Sequence, residues 1–244
     1  MLAYFYHQTC KLQLNEVVTL NADNANHIVQ VLRKKEGDQI KITNGKGLLA
    51  IAEITLAHKK HCNAQILSIE KIPKVKNENW LAISFTKNRN RTEWLIEKAT
   101  ELRVDGIIPL HCKRSERTQW NVERIEKIAI SAMLQSQQAW LPTIVDLCTI
   151  EEVYNLKEIQ ELSKINIGIA HCIDEAKMSI LDFYQKEHSH LIFIGPEGDF
   201  TKEEINSILQ NEGKALDLGK SRLRTETAGI HAISLLNALR DALS

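Results

Sequence analysis

The sequence predicts a two-domain α/β chain: a small, mostly β domain over residues 1–73, then a domain over 74–244 built on a parallel sheet. Three observations lead there. The first segment holds short strand-like stretches separated by turn residues. In the second, near-continuous apolar runs recur between amphipathic stretches, the pattern of strands buried on both faces. Between them, Pro73-Lys74-Val75-Lys76-Asn77-Glu78-Asn79 is polar and opened by a proline, the composition of a domain boundary.

Taken in order, Leu2–Tyr6 reads as a short aromatic strand, and a helix follows Asn21 through His27, Ile28, Val31 and Leu32. Gln39–Thr43 alternates polar and apolar. Asn44-Gly45-Lys46-Gly47 then supplies turn residues that tolerate positive φ. Leu48–Leu56 continues as the partner strand and Ala64–Ile72 as another, so a small barrel with one helix is expected. Beyond the boundary, strands are expected at Leu81–Phe85, Gly106–Leu110, Ile165–Ala170, Leu191–Ile194 and Ala215–Leu218. Helices are expected near 90–103, 121–139, 150–161, 177–186, 201–211 and 226–243. Thr149-Ile150-Glu151-Glu152 and Thr201-Lys202-Glu203-Glu204 both have the capping-box pattern of a helix start.

At 244 residues the chain is long enough for two hydrophobic cores. Its 31 Lys+Arg balance 31 Asp+Glu, which argues against a protein that coats nucleic acid by charge alone. The charge is unevenly placed: residues 1–74 hold 10 basic against 6 acidic side chains, and the remainder 21 against 25. A mildly basic module joined to a mildly acidic one is compatible with RNA binding. No apolar run approaches a membrane span, and the stretch from Met1 to Lys11 lacks a signal-peptide layout, so a cytoplasmic protein is expected. Cys10, Cys62, Cys112, Cys148 and Cys172 are scattered without a CxxC pair and read as reduced thiols. His58, His61 and Cys62 flank Lys59 and Lys60 as a solvated turn, and no metal is expected there.

Parallel sheets bind ligands beyond the carboxyl ends of their strands. Three such loops stand out: Ala170-His171-Cys172-Ile173-Asp174, Gly195-Pro196-Glu197-Gly198-Asp199-Phe200, and Gly219-Lys220-Ser221-Arg222-Leu223-Arg224-Thr225-Glu226. No GxGxxG follows a first strand, and Gly213 with Gly219-Lys220-Ser221 misses P-loop spacing by one residue. Gly195 and Gly198 flank a proline, giving a turn that is permissive yet stiff. Such a turn can present bare main-chain groups to a flat heterocycle such as adenine; an ordinary strand-to-helix turn also accounts for each glycine taken singly.

The segments Ile194-Gly195-Pro196-Glu197-Gly198-Asp199-Phe200 and Leu218-Gly219 with Leu223-Arg224-Thr225-Glu226-Thr227-Ala228 resemble the signature pair of the ribosomal RNA small-subunit methyltransferase E family, of the SPOUT superfamily. The resemblance spans the chain. His27-Ile28-Val29-Gln30-Val31-Leu32-Arg33 with Gly37-Asp38 is similar to the family's N-terminal PUA-like domain, and Glu97-Lys98-Ala99-Thr100-Glu101-Leu102, Gln135-Ser136 and Pro142 to its catalytic domain. It implies a SPOUT-type sheet with a C-terminal trefoil knot, a homodimer, S-adenosyl-L-methionine as cofactor, and methylation of uridine N3 in 16S rRNA or the small ribosomal subunit. The chain departs from the pattern at Asp199 and Arg103, where the family has glycine, and at Leu134 and Gln138.

Under that resemblance Arg224 is the catalytic candidate, because a planar, permanently charged guanidinium can pair with uracil oxygens as N3 loses its proton. A loop-bracing role, paired with Glu226, is the alternative. His171, Ile194, Gly195, Glu197, Gly198, Leu218, Gly219, Leu223, Thr225 and Glu226 are the cofactor candidates. Leu218 and Leu223 would sandwich adenine, or serve only as core. Glu197 and Glu226 would meet ribose hydroxyls or the cofactor's amino group, or cap helices. Arg33, Lys34, Lys87, Arg89, Arg91 and Arg114 are the RNA candidates, with Lys35, Lys113 and Arg117 beside them. Competing readings are a SPOUT enzyme acting on another RNA and a non-catalytic assembly factor.

Overall fold

The computed structural model describes residues 2–8, 12–116 and 120–243. Cys10 and Arg117 therefore lie outside the described residues. The chain divides into two compact units, one of residues 1–74 with 130–141 and one of residues 75–129 with 142–244. The division is thus not a single cut in the chain: the segment 130–141 packs with the N-terminal strands.

The N-terminal unit holds β1 (Tyr4–Tyr6), β2 (Val17–Leu20), α1 (Ala22–Asn26), β3 (Gln39–Thr43), β4 (Leu48–His58) and β5 (His61–Lys71). The sheet runs in the order β1-β3-β4-β5-β2. Its edges meet where the His7 ring donates to the Thr19 carbonyl at 3.3 Å. Register shifts between β4 and β5 help curl it. Asn21 caps α1 by accepting from the Asn24 amide at 2.8 Å, and the helix continues as a π-helical turn over His27–Val31. Alternating residues of the strands, with Phe5 and Ile28, fill the core. Gly47 has φ +84°, and a Cβ there would lie 2.4 Å from the Trp140 ring; that ring donates to the Ile72 carbonyl at 3.1 Å. Glycine is needed there for close approach as well as for the turn. His58 and His61 stack at the tip of the β4–β5 hairpin. Strand β2, which the sequence reading did not mark, is defined by its antiparallel pairing with β5.

The second unit comprises β6 (Asn79–Ser84), α2 (Arg89–Glu101), β7 (Gly106–Leu110), α3 (Val122–Gln135, whose end belongs to the first unit), β8 (Thr143–Ile144), α4 (Ile150–Val153), α5 (Lys157–Gln160), β9 (Ile165–Ala170), β10 (Met178–Ser179), α6 (Ile180–Phe183), β11 (Ser189–Ile194), α7 (Lys202–Gln210), β12 (Lys214–Asp217) and α8 (Thr225–Ala242). Its seven strands run β10-β12-β9-β11-β6-β7-β8, every recorded pair parallel. Central β6 and β11 are buried throughout, as their near-continuous apolar runs predict. Trp80 and Ala82 face the cluster containing Phe200, Ile205 and Ile208, the last two on α7. Leu81 and Ile83 face the opposite way, against Gly229 of α8, where a Cβ would meet Ile83 at 2.8 Å.

Two expected helices are shorter than the pattern implied. The stretch 150–161 breaks at Leu156, whose ψ of 130° interrupts α4 and α5. In 177–186 the chain first pairs Met178–Ser179 with β12, and only Ile180–Phe183 is helical, capped by Ser179.

Candidate active site

Because β9, β11 and β12 are parallel, with Ala170 beside both Ile194 and Leu216, the loops that follow leave one edge of the sheet together. They enclose a cavity of about 720 Å³, inside the range of about 300–1,000 Å³ usual for small-ligand pockets. His171 lines it from the first loop, Ile194, Gly195 and Glu197 from the second, and Leu218, Gly219, Leu223, Arg224 and Thr225 from the third. The two glycine-bearing motifs are joined directly: the buried Thr225 hydroxyl donates to the Gly195 carbonyl at 3.0 Å. At Gly195 a Cβ would lie 3.0 Å from the Phe200 ring and 3.1 Å from its amide nitrogen, so the turn closes tightly only without a side chain. Leu218 and Leu223 are half-buried, leaving apolar surface for a flat ring.

Two cofactor candidates do not line the cavity. Gly198 faces Arg114, whose stem would lie 3.4 Å from a Cβ there. Glu226 is buried in the first turn of α8. Its Oε1 sits 3.6 Å from Arg91 Nε, while Oε2 has no partner among the described residues. The carboxylate thus turns toward α2, and no pairing with Arg224 is recorded.

His171 has a fully buried side chain. Among the described residues its Nδ1 has no hydrogen-bond partner, while Nε2 lies 3.1 Å from Glu175 Oε1. Burial, then the nearby Lys177 ammonium, hold its pKa below the ordinary histidine value, against the opposing pull of Glu175 and Asp199. An imidazole on a cavity wall with Nδ1 unsatisfied fits a ligand's polar edge.

The sequence reading missed several cavity residues. Lys177 donates to the His171 carbonyl at 2.7 Å. Lys220 and Arg222 also reach the wall; the signal for them was their place in the third strand-ending loop. Asp199, which the sequence marks as a departure from the family's glycine, lies at φ +63° and lines the wall as well. Its carboxylate accepts from the Cys172 amide at 2.8 Å and from the Phe200 amide at 2.8 Å.

Of the RNA candidates, Lys87, Arg89, Arg91 and Arg114 follow β6 and β7 and open on the same sheet edge as the cavity. Lys87 pairs with Glu116 at 2.9 Å, a hydrogen bond that raises its pKa. Arg114 is engaged instead with the β11 loop, donating to the Gly198 carbonyl at 2.8 Å and the Phe200 carbonyl at 3.3 Å. Arg33 and Lys34 rim a separate depression in the N-terminal unit with Val29, Lys35, Glu36 and Ala57.

Comparison with known proteins adds a family. The family described as RNA methyltransferase domain matches residues 73–237, and that described as RNA methyltransferase PUA domain matches 20–67. The ribosomal RNA small subunit methyltransferase E of Bacillus subtilis strain 168 is 29% identical, over 97% of this chain and 96% of its own. Among solved structures, a probable rRNA-methyltransferase from Porphyromonas gingivalis superposes with a TM-score of 0.89 at 34% identity, covering 100% of both chains. A ribosomal RNA small subunit methyltransferase E from Neisseria gonorrhoeae, solved bound to S-adenosyl methionine, superposes with a TM-score of 0.85 at 26% identity over 98% of each chain.

Proposed function

Since the chain belongs to the ribosomal RNA small subunit methyltransferase E family, we propose that it methylates N3 of a uridine in 16S rRNA, using S-adenosylmethionine held in the cavity. The observation that carries this reading is the cavity itself: two glycine-bearing turns, bonded together through Thr225 and Gly195, around an open space rather than a packed core. The residues present suit the cofactor. Leu218 and Leu223 supply apolar faces for adenine, and the main chain of Ile194 and Gly195 supplies polar groups at its edge. Glu197 is placed to accept from ribose hydroxyls, and the unsatisfied Nδ1 of His171 is available to a polar group.

S-adenosylmethionine brings an activated methyl group on a sulfonium that leaves readily. The protein's part is to align uridine N3 with that methyl and to ease loss of the N3 proton. Arg224, exposed at the cavity's rim and N-cap of α8, pairs with the uracil oxygens and stabilises the negative charge that develops there. Lys87, Arg89 and Arg91 contact phosphates at the same sheet edge, and Arg33 and Lys34 do so from the PUA-like domain. The enzyme works as a cytoplasmic homodimer.

Mass spectrometry of 16S rRNA nucleosides from cells with and without the gene tests the reading. A 3-methyluridine that vanishes with the gene and returns with it is expected; an unchanged nucleoside profile rejects the substrate. Calorimetry with S-adenosylmethionine separates this enzyme from a non-catalytic assembly factor, which has no need to bind it.

A further inference from the structure

We infer that Asp199 and Arg114 are positioning residues, which together lock the turn at 195–200 in the shape that accepts the adenosyl group. The inference rests on the cofactor reading above and adds two residues that act through the turn.

The turn must hold bare main chain toward the cavity, yet it sits at the end of a strand with nothing regular beyond it until Thr201 caps α7. Four attachments secure it. Thr225 binds the Gly195 carbonyl from the third loop. The Asp199 amide closes the turn on the Pro196 carbonyl at 2.9 Å. The Asp199 carboxylate reaches across to the Cys172 amide in the β9 loop, and Arg114 reaches from the β7 loop to the Gly198 and Phe200 carbonyls. The turn is therefore gripped from both sides, by its own Asp199 carboxylate toward the β9 loop and by Arg114 and Thr225 from neighbouring loops.

Asp199 lies in the left-handed region, where a side chain is unfavourable and aspartate is tolerated better than most because its short polar group bonds locally. Here it does so twice, to Phe200 and to Cys172. The second bond also anchors the residue next to His171, so one carboxylate fixes two walls of the cavity. Arg114 holds the turn from outside the cavity. Gly198 does not line the cavity and instead lies against the arginine stem, which a Cβ there would meet in ordinary contact at 3.4 Å. Both bonds are donated by Nη1, whose two hydrogens are fixed in the guanidinium plane; a lysine ammonium keeps the donors and lacks the plane.

The test is titration of S-adenosylmethionine into the full-length protein by calorimetry, with turnover and RNA affinity measured in parallel. Wild type, Asp199→Ala, Asp199→Asn, Arg114→Ala and Arg114→Lys are compared. Loss of charge-assisted bonds at the turn is expected to raise the cofactor Kd about tenfold in Asp199→Ala and about threefold in Arg114→Ala. At saturating cofactor kcat stays within about twofold, since neither side chain is assigned to the reacting atoms. Asp199→Asn, which keeps an acceptor oxygen and tolerance of positive φ, recovers most of the affinity, and Arg114→Lys recovers part. RNA affinity of Arg114→Ala remains that of wild type. Unchanged cofactor Kd in both alanine variants overturns the inference, as does Arg114→Ala weakening RNA alone. Should Asp199→Ala not fold, Asp199→Asn and Arg114→Ala still decide. Failure of the wild type to bind S-adenosylmethionine would reject the cofactor reading itself, a result distinct from any variant effect.

Discussion

Single side chains at the cavity separate into those that touch a ligand and those that shape its site. The Arg224 guanidinium makes no recorded ion pair or hydrogen bond among the described residues, and only its carbonyl is used, accepting from the Ala228 amide at 2.8 Å. A side chain with no structural duty can be removed without loosening the fold. Arg224→Ala is therefore expected to melt like wild type while losing about 100-fold or more in turnover, the scale seen when a charge-stabilising donor is deleted. A variant that methylates at the wild-type rate would remove Arg224 from the chemistry. Thr225 is the opposite case. Thr225→Val keeps the shape but leaves the buried Gly195 carbonyl without its donor, at a cost of about 1–3 kcal/mol. Both the melting temperature and the affinity for S-adenosylmethionine should fall, and calorimetry on the same sample reads both. Unaltered values would mean the two motifs are held together by something else.

Elements explain why the turns sit where they do, and how far the sequence disclosed it. Helix α7 begins at a capping box in which Thr201 accepts from the Glu204 amide at 3.3 Å and Glu204 accepts from the Thr201 amide at 2.7 Å. Glu204 also accepts from the Lys113 amide at 2.7 Å, tying the helix start to the β7 loop. Thr201→Ala should destabilise the second unit by about 1 kcal/mol, measured by denaturant unfolding; no change would show the cap to be redundant with the Lys113 bond. That box was legible because both of its partners lie within four residues. The central strands β6, β7 and β11 were legible for a related reason, since burial on both faces leaves near-continuous apolar runs such as Leu191–Ile194. Two-residue strands were not, because Met178–Ser179 is defined by its pairing with Leu216 and Asp217, which no local pattern records. The same limit applies at the site. The glycine turns announced themselves, but the outward face of Glu226 toward Arg91 and the diversion of Arg114 to Gly198 depend on residues far apart in sequence.

At the scale of the whole second unit, a buried polar chain joins three elements and gives stability a pH dependence. His190 of β11 donates through Nδ1 to the Asn79 side-chain oxygen at 3.1 Å, and Asn79 of β6 donates to the Asn237 side-chain oxygen of α8 at 2.8 Å. On its other side the ring accepts the Gln185 amide at Nε2, 3.2 Å away, and Tyr184 stacks over it. Both nitrogens are thus committed with a single ring proton. A second proton would land on Nε2, displace the Gln185 bond and place a charge in a site that is 1% exposed. Burial, then His188 and Arg240, accordingly depress its pKa to about 4. The unfolded chain binds that proton at an ordinary histidine value near 6.5, so the unfolded state holds more protons throughout the window between the two. The contribution of neutral His190 is complete above about pH 6.5 and is lost as pH falls toward about 4, which amounts to about 3 kcal/mol. Carboxylates titrate in the lower part of the same range, so the measurement is a difference: urea unfolding of wild type and His190→Gln at pH 7 and pH 4.5. The variant is less stable at pH 7, and its loss on acidification should be smaller than wild type's by one to three kcal/mol, about the share assigned to this ring. Parallel losses in the two proteins would mean that His190 takes up its proton inside the fold as easily as outside it, which the committed nitrogens forbid.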